Sequence, residues 1–176
     1  MRYLIAAAVA AIATLPAASA QTRPAAASGP TQITRHAGAS GSPILQAVEV
    51  PAGARTLYLS GMLADPLDPK RAGAADLAIA DYGDTRTQTL STLAKIKRAL
   101  EARGYTMRDA IKMTVYVAGD PALGGRMDFA GMNAGFRSFF GTADNPNTVS
   151  RSTIQVAALA GPAYLVEIEV TAAKLP

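Results

Sequence analysis

The side chains able to do chemistry in this 176-residue sequence are few, and their types exclude several mechanisms at once. There is no cysteine, which removes a disulfide framework, a thiolate metal site and a cysteine nucleophile. The single histidine, His36, rules out a multi-histidine metal centre, and any Ser-His-Asp triad has to use it. Arginine, carboxylate, amide and hydroxyl groups remain. Two segments near the C-terminus concentrate them. Arg151, Thr153 and Gln155 alternate with Ile154 and Val156, while Glu167 and Glu169 alternate with Val166, Ile168 and Val170. Period-two alternation predicts one polar sheet face bearing Arg151, Thr153, Gln155, Glu167 and Glu169, with the apolar set beneath helices. Such a face either meets water or lines a shared cavity. By residue type, Arg151 is a planar fork for a carboxylate or half of a structural ion pair with Glu167 or Glu169.

Other chemical-looking features have plainer readings. The segment 119–126, GDPALGGR, is glycine-rich, but no Lys-Ser/Thr follows the glycines as a phosphate loop requires. Phe129, Met132, Phe136, Phe139 and Phe140 form a stripe that reads as core. His36 lies in a stretch rich in Ala, Ser, Gly, Thr and Pro (21–42), which reads as a flexible linker with a short strand near Gln32–Arg35. The histidine is expected to be an exposed linker side chain.

The elements that must position these residues follow from periodicity. Residues 1–20 read as a cleaved signal peptide: Arg2, then an apolar run over 4–15, Pro16, and Ala18-Ser19-Ala20 before Gln21. The run is short for a membrane span, so no stable membrane anchor is expected after cleavage, and the destination is periplasmic or secreted. The domain proper is expected over 43–176. Ile44–Val50 and Thr56–Ser60 read as a hairpin around Pro51-Ala52-Gly53, and 61–83 as a loop. Asp84 is an N-cap for a helix through Leu90, Leu93, Ile96 and Leu100 that ends at Gly104. A strand over Asp109–Val117, a helix over Asp128–Phe140, and a final hairpin of Arg151–Leu159 with Tyr164–Ala172 complete a β-β-α-β-α-β-β order. This is an α+β domain, a mixed, mostly antiparallel sheet with two helices on one face. The net charge of +4 contains no basic run, and 6% aromatic residues give few stacking surfaces, so a nucleic-acid partner is not expected.

Six segments in order resemble the reactive intermediate deaminase family (RidA/YjgF). They are Leu57-Tyr58-Leu59-Ser60-Gly61, Thr87-Gln88-Thr89-Leu90, Ile111–Val117, Met132-Asn133-Ala134 with Phe139-Phe140, Ser150-Arg151-Ser152-Thr153 with Val156–Leu159, and Val166-Glu167-Ile168-Glu169. The resemblance covers Ile44 to Ala172. It implies a chorismate-mutase-like fold, a homotrimer, and ligand clefts between subunits, with the polar sheet face turned inward.

It also implies roles. Arg151 corresponds to the carboxylate-binding arginine, Gly61 and Thr153 to backbone contacts, Glu167 to the acid that positions water, and Asn133 to a position near the cleft. The implied reaction is hydrolysis of an enamine or 2-imino acid to a keto acid and ammonia, with a small carboxylate-bearing substrate and neither metal nor cofactor. Pairing Thr153 with Glu169 in the expected hairpin leaves Arg151 and Glu167 on the order of 13 Å apart along the strands. That separation favours a site shared between subunits.

The sequence also departs from the pattern. Ile44 stands where the family has a cleft-lining tyrosine, Met62 follows Ser60-Gly61 where glutamine is usual, and the 119–126 loop is longer. These changes keep a second reading open, a non-catalytic carboxylate-binding or holdase trimer. Endoribonuclease activity, a label given to some members, is a distant third, because no histidine is expected in the folded region.

Overall fold

A computed structural model describes residues 29–176; the signal-peptide reading of 1–20 and the linker reading of 21–28 lie outside the described residues. The fold is α+β. Six strands form one sheet: β1 (Thr34–Ala37), β2 (Leu45–Glu49), β3 (Arg55–Leu63), β4 (Ala110–Ala118), β5 (Ser150–Val156) and β6 (Val166–Lys174), in the spatial order β1-β2-β5-β4-β6-β3. The helices are α1 (Ile79–Tyr82), α2 (Thr85–Glu101) and α3 (Phe129–Phe136). Short 3-10 turns occur at Pro69–Arg71, Met107–Asp109 and Pro121–Leu123.

Helix α2 starts where Asp84 accepts a hydrogen bond from the Thr87 amide at 2.8 Å, and Gly104 follows it at φ 74°. Leu93, Ile96 and Leu100 are fully buried and pack on Met113, Val115 and Val117 of β4 and on Val166, Ile168 and Val170 of β6. Each such side chain contributes about 1.5–3 kcal/mol of burial free energy. The same helix also buries polar side chains that apolar spacing does not reveal. Gln88 donates to Gly83 O (3.1 Å) and Ala163 O (3.0 Å) and accepts from the Leu165 amide (2.8 Å). It thereby ties α2 to the segment entering β6.

Both expected hairpins are replaced by other pairings. β2 pairs antiparallel with β1, Thr34 opposite Glu49, and touches β5 in parallel at Leu45–Ser150. β3 lies at the far edge on β6. The β-turn at Pro51–Ala54 exists, but β1 supplies the partner that β3 was expected to be. β5 and β6 do not pair: β4 runs between them, parallel to β5 and antiparallel to β6. Alternation gives each strand its two faces but does not carry a face across the nine-residue connection 157–165, and here the assignment inverts.

Arg151 stands in register with Met113 and Val170, and Thr153 with Val115 and Ile168, so both point toward the helices. Ser152 and Ile154 share the open face with Glu169 and Glu167. The polar set is thus divided between two faces. Gln155, also on the helix side, accepts from the Met127 amide (3.0 Å) and donates to Gly125 O (2.8 Å), holding the 119–126 loop.

Three smaller expectations also change. α3 is shorter than Asp128–Phe140, ending at Phe136 with Arg137 as its C-cap. Met132, Phe136 and Phe140 are core, whereas Phe129 is 46% exposed. His36 belongs to β1, where its Nε2 meets Glu49 Oε1 at 2.7 Å, so it is part of the sheet and not a linker side chain.

Candidate active site

Arg151 is carried by β5 and covered by α3. Its Nη2 donates to Asn133 Oδ1 at 2.6 Å, and its guanidinium carbon lies 4.4 Å from the centre of the Phe136 ring. Asn133 and Phe136 are three residues apart on α3, which puts both on the helix face that meets β5. The amide fixes the fork's direction and the ring supports its flat side, a contact of roughly 0.5–2 kcal/mol.

A guanidinium has five N–H donors, and Asn133 uses one. Arg151 Nε and Nη1 are buried without a partner among the described residues, and so is Thr153 Oγ1. A buried donor left unbonded costs on the order of 1–3 kcal/mol, more on a charged group. Arg151 makes no ion pair among the described residues, which sets aside the structural salt bridge to Glu167 or Glu169. Burial, then the positive charge of Arg137, lower its pKa to about 10. It remains a cation at neutral pH, held in place and short of an anion. Thr153 stands two residues along the same face, about 7 Å away.

The second group of site candidates lies on the other face. Glu167 of β6 stands in register with Tyr116 of β4 and Leu63 of β3. β3 carries an irregularity between Leu59 and Met62, and there Gly61 passes directly under the Glu167 side chain. A Cβ on Gly61 would overlap Glu167 Oε1, so the close approach of backbone and carboxylate requires glycine. Next to it, the Tyr116 hydroxyl donates to Glu169 Oε2 at 3.1 Å, which raises the tyrosine pKa.

Ile44 precedes β2 and packs on the main core. Leu45, immediately after it, bonds to Val149 O at 2.9 Å, which places Ile44 beside the start of β5. Met62 also packs on that core. The chain therefore gathers Arg151, Thr153 and Asn133 on one side of the sheet, and Gly61 and Glu167 on the other. Phe136, Arg137 and Tyr116 were not singled out by sequence reasoning as site residues. The helical spacing from Asn133 to Phe136 and Arg137 was a usable signal, whereas the pairing of Tyr116 with the carboxylates depends on β4 lying beside β6. No group of three or more His, Asp or Glu side chains gathers as a metal site among the described residues.

The arrangement can bind a carboxylate at Arg151 and handle a proton at Glu167, but the two tasks face opposite ways. Comparison with known proteins is consistent on fold and family. The family model described as Endoribonuclease L-PSP matches residues 37–174. A RutC family protein of Pyrococcus horikoshii is 35% identical over 118 residues, covering 67% of this chain and 79% of that one. A 2-iminobutanoate/2-iminopropanoate deaminase of Salmonella typhimurium is 31% identical over 129 residues, 73% of this chain and 86% of the enzyme. Among solved structures, a conserved Rid-family protein from Yersinia pestis superposes with a TM-score of 0.56 at 28% identity, covering 74% of this chain and 86% of that one. The chain belongs to the family these matches define, RidA/YjgF.

Proposed function

We propose that the protein hydrolyses 2-imino acids and their enamine tautomers to 2-keto acids and ammonia, in a cleft completed by a second copy within a homotrimer. The observation that carries this reading is the buried, anion-deficient fork of Arg151 beside the unpartnered Thr153 hydroxyl. The carboxylate of the substrate takes the free N–H groups. The protonated C=N carbon is already electrophilic, so the chain needs only to orient and to move protons. Glu167 accepts a proton as water adds to that carbon, giving a carbinolamine. Glu167 passes that proton to the nitrogen, and the C–N bond breaks: ammonia leaves as the C=O forms and the hydroxyl proton returns to Glu167. The separation of Arg151 and Glu167 by the sheet is why one chain does not suffice. In the trimer, Glu167 of one copy faces the Arg151 pocket of the next. The open face supports such packing, since Tyr58 is 76% and Ile154 47% exposed. Residues 1–20 direct the protein out of the cytosol in this reading.

The loss of an aromatic wall at Ile44 favours one alternative, a trimer that binds small carboxylates without turnover. The ribonuclease label in the family description gains little from this chain, because His36 of β1 is engaged with Glu49 of β2, at the opposite edge of the sheet from β3. The test generates imines in situ with an amino-acid oxidase and follows ammonia release. Wild type is expected to accelerate it, and Arg151→Ala to lose at least about 100-fold in kcat/KM, which is about 2.7 kcal/mol of transition-state binding. Keto-acid binding by calorimetry with no acceleration supports the binding-only trimer.

A further inference from the structure

Arg151 is not the only arginine on its side of the sheet. Arg137 is the C-cap of α3 and keeps helical geometry, φ −64° and ψ −14°. It follows Asn133 by four residues, so the two project from the same helix face, and Asn133 is the residue that touches Arg151. The Arg137 charge also bears on Arg151. Arg137 is exposed and has no ion pair and no side-chain hydrogen bond among the described residues. Of the two acids nearest in sequence, Asp144 forms no ion pair with it among the described residues, and Asp128 is committed to the Gly131 amide at the other end of the helix. Two guanidinium groups therefore stand on the α3 side of the sheet, Arg151 touching Asn133 and Arg137 four residues further along that helix face, with no ion pair to balance either among the described residues. A monocarboxylate neutralises one of them. A second acid group, on the substrate's own side chain, neutralises the other.

Resting on the imine-hydrolase reading above, we propose that the site is selective for dicarboxylic 2-imino acids, with Arg151 holding the carboxylate next to the imine and Arg137 the carboxylate at the far end of the side chain. Arg137 is then a specificity-determining residue. Its plain alternative is to offset the negative end of the α3 dipole, a role that stabilises the fold and does not discriminate between ligands.

The experiment compares wild type with Arg137→Gln in two arms. In the first, ammonia release is measured with imines formed from glutamate or aspartate and from alanine or 2-aminobutyrate. The wild-type kcat/KM ratio is expected to favour the dicarboxylic imines, and the variant to reduce that ratio about tenfold or more, chiefly through KM. In the second, calorimetry measures the stable keto acids, 2-oxoglutarate against 2-oxobutanoate, and the same change of ratio is expected in Kd. Ratios equal in wild type and variant, in either arm that gives a signal, overturn the assignment, and so does a wild-type preference for the monocarboxylic ligand. If no imine is hydrolysed but the dicarboxylic preference in Kd holds and falls with Arg137→Gln, the hydrolase reading fails and the dicarboxylate site stands. Absence of binding to both keto acids overturns the site itself.

Discussion

A guanidinium taken out of water loses some of its hold on its proton. Arg151 is half-buried, and burial first and the Arg137 charge second lower its pKa to about 10. The sign matters for binding: the cation persists well below that value and is lost as pH rises through it. A bound carboxylate favours the charged form and moves the loss upward. Affinity for 2-oxobutanoate, measured by calorimetry between pH 6 and 11, is therefore expected to be flat to about pH 9 and to fall above about pH 10. A fall centred near pH 7 instead assigns the binding to some other group. At this scale the sequence was informative about identity and silent about surroundings. Arg151, Thr153, Asn133, Gly61 and Glu167 are legible as motif positions. That Asn133 and Phe136 hold the arginine between them is not, because the contact joins a helix to a strand that follows it by more than ten residues.

Elements decide which of these residues meet. β4 enters between β5 and β6, and this single insertion turns the Arg151 face toward α3 and leaves Glu167 on the open face. Strand alternation was readable in both segments, but the relation between them was not, since it is set by a third strand contributed from residues 110–118. The local irregularity in β3 has its own consequence. It brings Gly61 under Glu167 so closely that any side chain must push the carboxylate aside. Gly61→Ala is expected to lower kcat about tenfold to 100-fold with a smaller effect on KM, because Glu167, the acid proposed to handle water, moves while Arg151 does not. The same variant is expected to keep most of its stability, measured by urea denaturation, since β3 remains paired with β6 on both sides of the irregularity. An unchanged kcat removes Glu167 from the proposed chemistry. The buried amide of Gln88 works in parallel, fastening the entry of β6 to α2 and so fixing where Glu167 begins its strand.

For the whole molecule, a sheet has two faces, and this one carries half of the proposed site on each. The helix-covered face offers a cation short of an anion; the open face offers a carboxylate with a glycine-cleared approach and exposed Tyr58 and Ile154 nearby. The order of the principal strands and helices and the family are readable from periodicity, capping and motif order; α1, which lies in the segment 61–83 read as a loop, is not. The two strand pairings and the place of His36 are not, because they depend on partners distant in sequence. The account rests on one substrate held by two chains at once. The most direct measurement is a crystal structure of the protein soaked with 2-oxobutanoate, the stable product. The account predicts three equivalent ligands per trimer, each with its carboxylate on Arg151 and its keto carbon facing Glu167 of the partner subunit. A ligand bound elsewhere, or an Arg151 fork filled by a carboxylate of the protein itself, would contradict it.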